Sequence, residues 1–148
     1  VGAMTMRRLL FMPGFRFAQP ASADDGKNHE FLYGYLAGAY QVIGQEIDSD
    51  RTYEGKVILK HTGDQLEVIR MINSERVTGI GKIEHALGPD EANVLRVRFK
   101  QNGKKYEITY IWQSDLDNYA RLSGYVYQPE MHTSNPGLEA LFIEHRSK

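Results

Sequence analysis

From Gly38 onward the chain alternates apolar and polar residues with a period of two, and turn residues break the alternation at short intervals. The clearest stretch is 53–85. Tyr53, Gly55, Val57 and Leu59 fall on one face of a strand, with Glu54, Lys56 and Lys60 on the other. After a turn at Thr62-Gly63-Asp64, Leu66, Val68, Arg70 and Ile72 share a face against Gln65 and Glu67. A third run sets Val77, Gly79, Gly81 and Ile83 against Thr78, Lys82 and Glu84. Three half-buried strands joined by tight turns predict an antiparallel meander.

The same reading extends in both directions. Gly38, Tyr40, Val42 and Gly44 predict a first strand ending near Ile47, with a turn at Asp48-Ser49-Asp50. Pro89, inside 87–91, has no amide to give a ladder, so a loop falls there. Leu95, Val97 and Phe99 then alternate with Arg96, Arg98 and Lys100. Asn102-Gly103 is a type I′ hairpin signal, and Tyr106, Ile108, Tyr110 and Trp112 answer on the returning strand. Leu122, Gly124 and Val126 form the next inner row, and a last run, 137–145, follows an irregular loop over 128–136. Upstream, Phe31, Leu32, Tyr35 and Leu36 recur at helical spacing, predicting a short helix that Gly34 and Gly38 limit, with Asp24, Asp25 or Asn28 as its cap. The sum is an all-β chain of about eight strands led by a short helix. That number closes an up-and-down antiparallel barrel, with a two-sheet sandwich as the alternative.

Composition narrows the function classes. At 148 residues the chain suits one domain over 28–148, preceded by an arm over 1–27. Val1-Gly2-Ala3 reads as a vector remnant. The following segment has Arg7-Arg8, a short apolar stretch and Ala21-Ser22-Ala23 before Asp24-Asp25, which is the outline of a secretory signal, with a disordered arm as the alternative. Periplasmic or secreted placement is therefore expected, although composition itself leaves the compartment open. A net charge of −1 gives no basic field for nucleic acid. No cysteine is present, and no apolar run is long enough for a transmembrane helix.

The glycine and aromatic spacing, Gly38-x-Tyr40-x-Val42-x-Gly44, Tyr53-x-Gly55-x-Val57, Gly79-x-Gly81, Leu122-x-Gly124 and Gly137-x-Glu139-x-Leu141, resembles that of small secreted lipocalin-like, or calycin-type, bacterial barrels of undefined function. The resemblance implies a secreted or periplasmic barrel and supplies no characterised activity. Arg70 stands where an aromatic inner residue is expected. Tyr40 replaces the tryptophan of the lipocalin G-x-W opening, so ligand preference does not carry over.

Inward glycines at 55, 79, 81 and 124 weaken strands unless something large approaches them. Either aromatic rings pack on them in a filled barrel, or they leave room for a small amphipathic guest. Arg70 shares a row with Leu66, Val68 and Ile72. Its guanidinium cannot shed its charge, so it needs Glu139 or a ligand anion. Tyr40, Tyr53, Arg70, Tyr110, Trp112 and Glu139 are thus the candidate ligand-binding residues. The five histidines have no metal-site spacing, and no nucleophile elbow, P-loop or dinucleotide fingerprint occurs, so no catalytic, metal or cofactor residue is assigned. Arg96, Arg98 and Lys100, with Lys104, Lys105 and Arg121, read as a basic patch that is either a solvated face or a protein-binding one. A protein partner reached through the loops at 88–93 and 128–136 is the competing class of function, and an acid–base enzyme built from inward Tyr, Arg and Glu is the third.

Overall fold

The computed structural model describes residues 29–86, 92–114 and 119–144. The signal-like arm and the proline-containing loop lie outside them. Residues 29–36 are helical, and the barrel unit begins at Tyr33. Eight strands follow: β1 Gly38–Gln45, β2 Thr52–Thr62, β3 Gln65–Ile72, β4 Glu75–His85, β5 Asn93–Gln101, β6 Lys104–Ser114, β7 Ala120–Tyr127 and β8 Gly137–Ile143. Each pairs antiparallel with the next, and β8 pairs with β1 from Tyr40 opposite Ile143 to Gln45 opposite Leu138. The sheet is a closed up-and-down barrel. Closure leaves no unpaired strand edge.

The alternation read from sequence is the alternation of the lumen. Tyr40, Val42, Val57, Leu66, Val68, Leu95, Val97, Ile108, Tyr110, Leu122 and Leu141 are buried inward-row residues, and Leu59 and Ile83 join them. Glu54, on the opposite parity, is exposed. Two turns are built on left-handed residues, Asn73-Ser74 and Asn102-Gly103, all with positive φ, which matches the right-handed twist of a two-residue hairpin. β1 stops at Gln45 rather than near Ile47, because the Glu46 amide already bonds to the Arg51 carbonyl and starts the turn.

One end of the barrel is closed by the last helical turn. Leu36 is fully buried there, and the Tyr33 hydroxyl accepts a hydrogen bond from the Ile83 amide at 2.9 Å. Tyr35 meets Ser114 at 2.6 Å, and the Tyr40 hydroxyl donates to the Leu36 carbonyl at 2.7 Å. These contacts reach the ends of β4 and β6 and the start of β1. Gly34, expected to limit the helix, instead sits inside it on the exposed side. Tertiary anchoring by Tyr33 and Leu36 outweighs the propensity cost of about 1 kcal/mol for an internal glycine.

Candidate functional site

At mid-barrel the register aligns five inward residues across β2, β1, β8, β7 and β6: Tyr53, Gly44, Glu139, Gly124 and Tyr110. The carboxylate is central, a glycine lies on each side of it, and a tyrosine lies beyond each glycine. The missing side chains are what allow the two rings to lean inward over the neighbouring strands. A Cβ on Gly44 would overlap the Tyr53 ring and hydroxyl, and one on Gly124 would come within 2.9 Å of Tyr110 Cδ1. Both phenols therefore reach the same carboxylate. Tyr53 donates to Glu139 Oε2 at 2.5 Å, and Tyr110 donates to Oε1 at 2.6 Å.

Arg70 completes the cluster from β3, across the lumen. Its two terminal nitrogens donate to Glu139 Oε1 at 3.0 Å and Oε2 at 2.5 Å, the paired fork that a guanidinium and a carboxylate share. The guanidinium carbon lies 4.7 Å from the centre of the Phe99 ring, and Tyr106 stacks with Phe99 at 5.3 Å. With 6% of Arg70 and 3% of Glu139 exposed, this is a buried ion pair in which each carboxylate oxygen accepts two hydrogen bonds.

The electrostatics follow from that geometry. Burial alone would raise the Glu139 pKa, but the Arg70 charge and the donors from Arg70, Tyr110 and Tyr53 outweigh it and hold the acid below its ordinary range. Burial likewise opposes the Arg70 charge, and Glu139 more than restores it. Tyr53 and Tyr110 are pushed well above the usual phenol range, first by burial and then by the neighbouring carboxylate. Chemically, a carboxylate held ionised with four donors is a poor proton acceptor, so Glu139 is not poised as a general base.

Above this cluster, at the end opposite the helix, a cavity of about 530 Å³ opens. Tyr53, Arg70, Phe99 and Tyr106 contribute to its floor and wall, with Ile72 and Val126 beside them. Its rim is rich in amides, from Gln45, Asn73, Gln101, Asn102 and Gln128, and carries Glu46, Asp48, Glu75 and Lys104. The loop 128–136 is held to this rim by two bonds between Asp48 and Asn135.

Of the six candidate ligand-binding residues, four meet in the cluster: Tyr53, Arg70, Tyr110 and Glu139. Only Tyr53 and Arg70 also line the cavity. Tyr40 lies toward the closed end with its hydroxyl bound to the helix. Trp112, opposite Leu122, is half-buried toward that same end. Parity places all six inward, and height along the barrel separates them. Gly44, Gly124 and the rim amides were not singled out from sequence. The basic patch also needs correction. Arg98 pairs with Glu84 at 2.8 Å and Glu107 at 3.0 Å, and Arg96 pairs with Glu84 at 3.1 Å, so acids on β4 and β6 pair with both arginines of the row, while Lys105 pairs with Glu130 at 3.2 Å. Tyr127 adds a hydrogen bond to Glu107. Arg121 and Lys104 point elsewhere, to the far outer face and into the mouth. Comparison with protein-family models and with curated proteins gives no match to this chain.

Proposed function

We propose that this protein is a small-molecule-binding barrel of the lipocalin-like kind, whose mouth cavity takes a compact ligand that is uncharged or cationic. The observation that carries this reading is the mouth cavity of about 530 Å³, of ligand-site size, set on an aromatic floor and ringed by amide donors and acceptors. The charge preference follows from the cluster beneath it. Arg70, the cation on the cavity floor, is already matched by Glu139, whose buried carboxylate is held by donors from Arg70, Tyr53 and Tyr110. What remains at the rim is Glu46, Asp48 and Glu75 against Lys104. A carboxylate-bearing guest competing for Arg70, one of the two readings open from sequence, is therefore disfavoured. An extracytoplasmic location, periplasmic or secreted, rests on the signal-like pattern before Asp24 and on the lipocalin-like resemblance.

Isothermal titration with three isosteric probes tests the reading: an aromatic amine (tryptamine), its alcohol (tryptophol) and its acid (indole-3-acetate). The amine or alcohol is expected to bind about tenfold or more tightly than the acid, the size of effect that a modest rim potential supplies. Preferential binding of the acid would remove the charge argument. Native mass spectrometry of the gently purified protein should show a retained small molecule, and its loss on Val126→Trp should follow from filling the cavity.

A further inference from the structure

The outer face of β1, β8, β7 and β6 differs from the rest of the barrel surface. Its central row is Ile43, Ala140, Ser123 and Ile111, large at both ends and small in the middle. Above it run Gln45, Leu138, Tyr125 and Thr109, and below it Gln41, Phe142, Arg121 and Gln113. Arg121 is the single charge in these three rows, whereas the outward rows of β2 to β5 carry Lys56, Lys60, Lys82, Arg96, Arg98 and Lys100 with their acidic neighbours. Ile43, Ile111, Tyr125, Leu138 and Phe142 are each between 41% and 57% exposed. Between them lies a hollow of about 670 Å³ whose lining includes Gly44, Ser123, Gly124 and Ala140. Exposed apolar area gathered in one place marks an interaction surface. Because the barrel is closed, a partner must approach this face rather than an edge.

We propose that this window binds the same window of a second copy of the chain. The argument is that its polarity pattern maps onto itself. Under a two-fold axis lying along the central row, the upper and lower rows face each other. Leu138 then meets Phe142, Gln45 meets Gln41, and the Arg121 guanidinium lies over the Tyr125 ring. Under a two-fold axis along the strands, Arg121 faces Phe142 and Ile43 faces Ile111. In both arrangements the lone cation meets an aromatic face and no like charge, and the net charge of −1 adds little repulsion between copies. Four strands about 4.8 Å apart and three outward rows about 6.8 Å apart span roughly 400 Å² per copy. That is about half of a standard interface, so the dimer is reversible rather than obligate. The reading is independent of the mouth cavity.

Sedimentation equilibrium on the full chain, from about 1 μM to about 1 mM, is expected to show a monomer–dimer equilibrium with a Kd in the range of tens of micromolar. Ala140→Glu and Ala140→Lys, each placing a charge in the hollow, should each weaken self-association about 100-fold or more. Ala140 is half-buried on the outer face, and an unchanged melting temperature is the check that each variant still folds. Mixing the two variants should restore pairing, because the substituted positions lie opposite each other under the first axis and one strand apart, about 4.8 Å, under the second. Lys82→Glu, on the charged face, should leave the equilibrium unaltered. A wild type that stays monomeric throughout, an Ala140→Glu dimer as tight as wild type, or a mixture that fails to pair overturns the proposal. So does a monomer that instead co-sediments with phosphatidylglycerol vesicles, which would assign the window to a lipid surface.

Discussion

Arg70→Met isolates what the buried pair contributes. The change removes the counter-charge of Glu139 and leaves the Tyr53 and Tyr110 donors in place. Two routes are then open to the carboxyl group. If it stays ionised, an uncompensated buried charge costs about 3–5 kcal/mol. If it takes up a proton, the cost at pH 7 is the climb from an ordinary glutamate pKa of about 4.3, at about 1.36 kcal/mol per unit, or about 3.7 kcal/mol. The cheaper route sets the loss, so about 3–4 kcal/mol is expected at pH 7. At pH 5 the protonation route costs only about 1 kcal/mol, while the wild type, whose Glu139 lies below the ordinary range, is still ionised. Urea unfolding followed by circular dichroism at the two pH values measures both losses, with an unchanged m-value as the check on two-state behaviour. A difference of about 2–3 kcal/mol between pH 7 and pH 5 is the signature of an orphaned acid. Adding Glu139→Gln removes the charge and keeps an oxygen for Tyr110, so the double variant should lose the pH dependence. A loss that is the same at both pH values would mean that Arg70 contributes only packing on Phe99.

Three further outcomes follow from the same cluster. Gly124→Ala places a methyl against the Thr109 carbonyl and Tyr110, and should cost about 2–3 kcal/mol in thermal melts. Gly81→Ala, whose nearest neighbour is the Leu95 Cδ1 at 3.3 Å, should cost under about 1 kcal/mol; similar losses at the two sites would discount ring-on-glycine packing. The stability profile should have two limbs. Because the folded Glu139 pKa is depressed, its contribution is complete above the ordinary carboxylate range and lost as pH falls below about 4. Because the Tyr53 and Tyr110 values are raised, theirs is complete below about 10 and lost as pH rises beyond it, and Tyr53→Phe should shorten the alkaline limb. Finally, replacing the whole cluster with Tyr53→Phe, Arg70→Met, Tyr110→Phe and Glu139→Leu should leave a stable fold whose amide NMR spectrum shows more than one set of peaks for β1 and β8. A single sharp set would show that the cluster is not needed to select the register.

Much of the fold was legible because a closed barrel turns a one-dimensional period into a spatial fact. Once Leu66 and Val68 face the lumen, Arg70 must also, and a guanidinium that cannot lose its charge directs attention to Glu139, an acid on the inward row of Leu141. What period-two reasoning cannot supply is height along the barrel axis. Tyr40 and Tyr110 have the same pattern in sequence, yet one binds the helix at the closed end and the other binds Glu139. The Tyr53-Gly44-Glu139-Gly124-Tyr110 row depends on the register of β1 against β8, strands nearly a hundred residues apart in the chain. The rim amides sit at strand ends and turns, where alternation gives out. Arg96 and Arg98 looked unpaired because their acids, Glu84 and Glu107, lie on the two adjacent strands.

Register selection is also the physical reason to place an ion pair in an otherwise apolar lumen. A slip of two residues between β8 and β1 preserves every inward and outward face, so the hydrophobic pattern alone penalises it weakly. The same slip carries Glu139 out from between Gly44 and Gly124, where the neighbouring inward residues on β1 and β7 become Val42 or Leu122 and their side chains occupy the path of the tyrosines. The carboxylate would then lose donors while remaining buried, at a cost of about 1–3 kcal/mol for each unmet charged hydrogen bond. Glycines that weaken their own strands thus become the positions that make one closure of the barrel better than its neighbours. The floor of the mouth cavity is held from β2, β3, β6 and β8 together, so its shape is fixed before any guest arrives, which lowers the ordering cost of binding.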